Sequence, residues 1–121
     1  MGQRENDMAR ALQDEALLQK FRTNARGEVK LACALRGYAL GEHREVYLPY
    51  LRSRMRPAVT ELIRAGRVSE LAVLEPEGFF PEERIDEYLS VAIASGVQES
   101  IVWLLRLKER RLGFPRQEYR L

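Results

Sequence analysis

Apolar residues along this chain recur every three or four positions, and glycine or proline interrupts them at nearly regular intervals. Such spacing predicts amphipathic helices closed by glycine and opened by proline. Met8, Leu12, Leu17, Leu18 and Phe21 define a first helix, capped by Asn6 or Asp7 and with a break expected at Asp14-Glu15. Asn24 is the expected cap of a second helix carrying Val29, Leu31, Ala32 and Leu35, with Gly37 as its left-handed stop. Tyr38-Ala39-Leu40-Gly41 reads as a connector, and Pro49 places the start of the next helix near Leu48.

Pro57 opens a helix with Val59, Leu62 and Ile63 that Gly66 terminates, and Val68, Leu71 and Leu74 define a short one after it. Pro76, Gly78 and Pro81 delimit a loop holding Phe79 and Phe80. Pro81-Glu82-Glu83 is a helix start, with acids facing the positive end of the helix dipole. Ile85, Leu89, Ala92 and Ile93 follow, stopped by Gly96. A last helix runs through Ile101, Trp103, Leu104 and Leu105 to Lys108, Arg110 and Arg111, before Gly113 and Pro115. No stretch alternates with a period of two, so the expected class is all-α, a single helical domain over residues 1–121 with six or seven short helices.

Three stretches resemble copies of one unit, within 24–36, 57–74 and 81–112. Leu62-Ile63-Arg64-Ala65-Gly66 through Leu71 to Leu74 superposes without gaps on Ala92-Ile93-Ala94-Ser95-Gly96 through Ile101 to Leu104. A fainter copy begins at Ala25-Arg26-Gly27. Gly27, Gly66 and Gly96 are spaced by 39 and 30 residues, which brackets the roughly 33 of an ankyrin unit. On these residues the chain resembles a degenerate ankyrin-like array of stacked αα-hairpins. It lacks a Thr-Pro-Leu-His turn, and a proline-bracketed loop at 75–81 stands where a β-turn finger would. A non-repeating bundle whose helices end in glycine fits the same punctuation.

Composition narrows the function classes more than it selects one. The 121 residues are 45% hydrophobic, enough for one ordinary core, and charges interrupt every stretch long before it could span a bilayer. The polar N-terminus lacks the apolar region of a secretory signal, so a cytoplasmic protein is expected. Cys33 is the sole cysteine, which leaves no intrachain disulfide or thiolate zinc cluster and reads as a core residue. Seventeen of the twenty basic residues are arginine, yet the formal charge is only +2, which disfavours a dedicated nucleic-acid binder.

Candidate chemistry is sparse. His43, the only histidine, has Glu42 and Glu45 as neighbours for acid–base work, but its place near a helix start marks it as a surface residue. The acids Glu75, Glu77, Glu82, Glu83, Asp86 and Glu87 form a cluster without a calcium-loop pattern. Basic patches flank it: Arg52, Arg54, Arg56, Arg64 and Arg67 on one side, Arg106, Lys108, Arg110, Arg111, Arg116 and Arg120 on the other. With Tyr47 and Tyr50 nearby, the first patch offers phosphate contacts and stacking. Phe79 and Phe80 are either exposed anchors for a partner or a staple tucked beneath the helix that follows.

No catalytic, cofactor or metal-binding residue is expected. The expected function is a non-enzymatic interaction module that binds a protein partner, with Phe79, Phe80, Arg52, Arg54 and Arg56 as candidate contacts. A second copy is an eligible partner and a membrane is not. The alternative is a nucleic-acid-associated protein acting through Arg52–Arg67.

Overall fold

The computed structural model describes residues 2–23 and 26–113. Among them are seven helices and no strand, so the fold is all-α as expected: α1 (Gln3–Thr23), α2 (Gly27–Leu40), α3 (Arg44–Ser53), α4 (Met55–Ala65), α5 (Val68–Leu74), α6 (Glu82–Ser95) and α7 (Gln98–Leu112). A 3-10 turn at Glu75–Glu77 follows α5. The chain forms two compact units, Met1–Ala58 and Val59–Leu121, with α4 crossing between them. No described helix is long and apolar enough to cross a membrane.

In the first unit α1 packs on α2, and α2 on α3. Asp14, Leu18 and Phe21 are the buried positions of α1, at the spacing of one helix face. The helix runs unbroken through Asp14-Glu15, because Asp14 turns inward rather than ending it. It also starts ahead of the expected caps: the Asn6 amide already donates to the Gly2 carbonyl at 3.0 Å. The expected Asn24 cap lies outside the described residues, as do Ala25, Pro115, Arg116 and Arg120.

Gly37 is not the stop of α2. It is buried inside the helix, which continues through Tyr38-Ala39-Leu40 to a left-handed Gly41 (φ 88°). α3 likewise starts before its proline and passes through Pro49. Tyr47 and Leu51 explain this, since both are fully buried and four residues apart, so they share a face only if the segment is helical. Burying two such side chains is worth about 3–6 kcal/mol, which offsets the roughly 3 kcal/mol that proline costs in a helix.

The second unit is built on two hairpin junctions with the same closure. The Gly66 amide donates to the Ile63 carbonyl at 3.1 Å and the Arg67 amide to the Leu62 carbonyl at 3.0 Å. The Gly96 amide donates to Ile93 at 3.1 Å and the Val97 amide to Ala92 at 3.3 Å. Both are Schellman caps on a left-handed glycine, φ 70° and 69°, and the paired residues are those that the two sequence copies align. The junctions lie side by side, with Ser100 Oγ donating to the Ile63 carbonyl at 2.7 Å in a buried bond. The faint third copy departs from this pattern, because Gly27 has a positive φ but is the first residue of α2 itself.

Candidate functional site

Five residues of α1, Asp7, Arg10, Ala11, Asp14 and Glu15, fall on one helix face at intervals of three and four. Together with Glu42 and His43 they line a cavity of about 330 Å³ in the first unit. The loop opposite α1 is fastened from several sides. Arg10 Nη2 donates to the Leu40 carbonyl at 2.8 Å, at the negative end of α2. Arg44 Nε donates to the Tyr38 carbonyl at 3.0 Å, and its guanidinium lies 5.0 Å from the centre of the Tyr38 ring.

At this cavity sits a buried acid. Asp14 is only 2% exposed, and its Oδ2 lies 3.3 Å from His43 Nε2. Asp14 Oδ1 is buried without a hydrogen-bond partner. His43, in the loop before α3, therefore meets Asp14 of α1, and not the adjacent Glu42 or Glu45 that the sequence offered it. Nothing in the sequence pairs residues 14 and 43, although Asp14 is a polar residue on the line of Leu18 and Phe21, the one available sign of an inward acid. Among the described residues, no three His, Cys, Asp or Glu side chains are grouped so as to hold a metal ion.

The expected partner contacts fare unequally. Phe79 and Phe80 are buried, at 0% and 1% exposure, so they are core residues and not exposed anchors. Gly78 (φ 85°) turns the chain inward there. Phe80 packs edge-on against Tyr88 at 5.5 Å and beside Trp103 at 5.2 Å. The loop backbone is tied as well: Tyr88 Oη donates to the Phe79 carbonyl at 3.3 Å and Arg111 Nη2 to the Phe80 carbonyl at 3.1 Å.

Arg52, Arg54 and Arg56 are exposed in the first unit, whereas Arg64 and Arg67 belong to the second. The stacking partners expected beside them are occupied. Tyr47 is fully buried, and the Tyr50 ring has the Arg54 guanidinium 4.5 Å from its centre and Lys30 Nζ at 5.6 Å. Phe21 meets the same ring edge-on at 5.3 Å. Arg54 also donates to Ser53 Oγ at 3.0 Å. In the second unit Arg67 pairs with Glu70. Basic residues of the second patch pair with the acids before them, Arg111 with Glu75 at 3.0 Å and Lys108 with Asp86 at 2.8 Å.

Compared with known proteins, the chain matches no family model, no curated protein and no solved structure.

Proposed function

We propose that the chain is a non-enzymatic helical interaction module that binds another protein through helix faces its own core leaves uncovered. The observation that carries this reading is the outer face of α1. Met8 and Leu12, one turn apart, are 63% and 67% exposed, while Asp14, Leu18 and Phe21 take the inward line. An apolar pair at helical spacing on the solvent side of an already packed helix suits the apolar face of a partner helix. Ile93 and Leu105 add exposed apolar positions on the second unit's hairpin. The helical-repeat reading of that unit is supported by the two matching Schellman closures.

The test is affinity capture with the full chain, comparing wild type with the Met8→Glu, Leu12→Glu double variant. Both side chains are exposed, so the variant should melt within about 0.5 kcal/mol of wild type. A partner recovered in stoichiometric amount by wild type and lost by the variant supports the module, and sedimentation of the purified chain tells a second copy from a different protein. Equal recovery by both proteins, or turnover of a small molecule by the purified chain, would overturn it.

A further inference from the structure

We propose that the α6–α7 hairpin carries an open stacking face, and that a second copy of this chain docks on it by the same face to form a two-fold dimer. The second unit itself supplies the template. The α6–α7 hairpin sits on the α4–α5 junction, where Ser100 Oγ donates to the Ile63 carbonyl at 2.7 Å. Val97 Cγ1 is there too, 3.2 Å from where a Cβ at Gly66 would lie, and α5 packs on α7. On the covered hairpin Val59, Ile63 and Leu71 are fully buried. The matching positions of the next hairpin are Leu89, Ile93 and Ile101. Ile93 is 59% exposed, Leu89 and Ile101 are half-buried, and a Cβ at Gly96 would meet nothing within 4 Å. The face that a hairpin covers on α4–α5 stands open on α6–α7.

An ion pair fixes the extent of this face. Asp86, Leu89 and Ile93 follow one line of α6, and Ile101, Leu105, Lys108 and Leu112 one line of α7, at intervals of three and four. Lys108 Nζ lies 2.8 Å from Asp86 Oδ1, which brings the two lines to the same side of the hairpin. That register sets Leu89 level with Leu105 and Ile93 level with Ile101. Leu105 and Leu112 are exposed as Ile93 is, whereas Ser100, Leu104 and Leu107 are the buried positions of α7.

A second copy is the occupant this face suits. The other side of the hairpin is already seated on α4–α5, so another copy's second unit offers the same open face, and pairing like with like closes after two chains. Two like faces repel when each carries net charge, but here the cation and the anion on the two lines neutralise each other. Two helices about 21 Å long, side by side and each about 10 Å wide, present roughly 400 Å² of face per copy. That is below the roughly 800 Å² per partner of a stable complex, so the dimer is weak and reversible. The inference does not rest on the outer face of α1.

The experiment is sedimentation of the full chain between about 10 µM and about 1 mM, with backbone amide shifts followed by NMR over the same range. A monomer–dimer equilibrium with a Kd on the order of 100 µM is expected, with the concentration-dependent shifts on α6 and α7. Ile93→Glu, Leu105→Glu should weaken the dimer by roughly tenfold or more, because it sets charges into an apolar contact. Ile93→Ala, Leu105→Ala should weaken it by roughly threefold and serves if the first variant fails to fold. Met8→Glu, Leu12→Glu should dimerise as wild type, so failure of the α1 contact and failure of this one are told apart. A chain that stays monomeric throughout the range overturns the proposal. So does growth beyond a dimer, dimerisation unchanged in both hairpin variants, or concentration-dependent shifts on α1 in place of α6 and α7.

Discussion

The Tyr47 ring fills the space beside Gly37 in which any other residue would place its Cβ. A Cβ built there would lie 2.2 Å from Cζ, 2.3 Å from Cε2 and 2.5 Å from Oη of that ring. Glycine inside a helix costs about 1 kcal/mol relative to alanine, and here that cost admits a fully buried aromatic. Gly37→Ala should therefore destabilise the protein by about 3 kcal/mol or more, read from denaturant midpoints. In a Tyr47→Leu background the same change should cost far less. An equal penalty in both backgrounds would mean that the ring is not what position 37 accommodates.

Tyr47 also buries a hydroxyl with no hydrogen-bond partner. Its pKa is pushed up to about 12, chiefly by burial and then by the Asp14 carboxylate, with Arg22 opposing. The unfolded chain ionises this phenol near its ordinary value of 10. Below that pH the residue is neutral in both states and its contribution is intact. Between about pH 10 and 12 the unfolded state binds fewer protons, so stability falls as pH rises. Tyr47→Phe removes both effects. The variant should be at least as stable as wild type at pH 7, by up to about 1 kcal/mol, and its advantage should widen between pH 10 and 12. Paired urea titrations at pH 7 and pH 11 measure the widening directly.

These two residues also mark where the sequence is legible and where it is not. Gly66 and Gly96 could be recognised as helix stops because apolar spacing breaks off on both sides of each, and both are left-handed caps. Gly37 presents the same local pattern, but its cause is a ring ten residues away, so local spacing places the helix end one turn too early. Pro49 misleads for the same reason, since the buried positions Tyr47 and Leu51 outweigh its local cost. Phe79 and Phe80 could be singled out as a pair and read either as exposed anchors or as a tucked staple, but the contact of Phe80 with Trp103, 23 residues on, is not visible locally. Pairing Asp14 with His43 requires knowing that α1 packs against α2. The all-helical class rests on local signals and was accessible. The candidate site rests on tertiary contacts and was not.

The two matching caps differ in their surroundings. A Cβ at Gly96 meets nothing within 4 Å, while one at Gly66 comes within 3.2 Å of Val97 Cγ1. Alanine at either site carries the left-handed penalty of about 1 kcal/mol. Gly66→Ala should cost more than Gly96→Ala, because Val97 must also move. Ser100→Ala should cost about 1 kcal/mol by removing the buried bond to the Ile63 carbonyl. Its coupling with Gly66→Ala in a double-mutant cycle should be measurable, since both changes act on one junction. Equal penalties at the two glycines, with no coupling to Ser100, would contradict the side-by-side arrangement.

The basic segment Arg52–Arg56 separates protein binding from nucleic-acid binding. A nucleic-acid interface built on three arginines would weaken steeply with salt, by about one power of concentration for each phosphate contact. It would also gain from open aromatic platforms, yet Tyr47 is buried and Arg54 and Lys30 cover Tyr50. The expected result is no saturable mobility shift with single-stranded or duplex DNA or with RNA at physiological salt. At low salt, retention should be weak and insensitive to sequence. Replacing Arg52, Arg54 and Arg56 with glutamate should remove that retention while leaving partner capture through Met8 and Leu12 unchanged. Tight, salt-resistant binding abolished by the triple variant would instead assign the chain to nucleic acid, because counter-ion release alone cannot survive physiological salt with so few contacts.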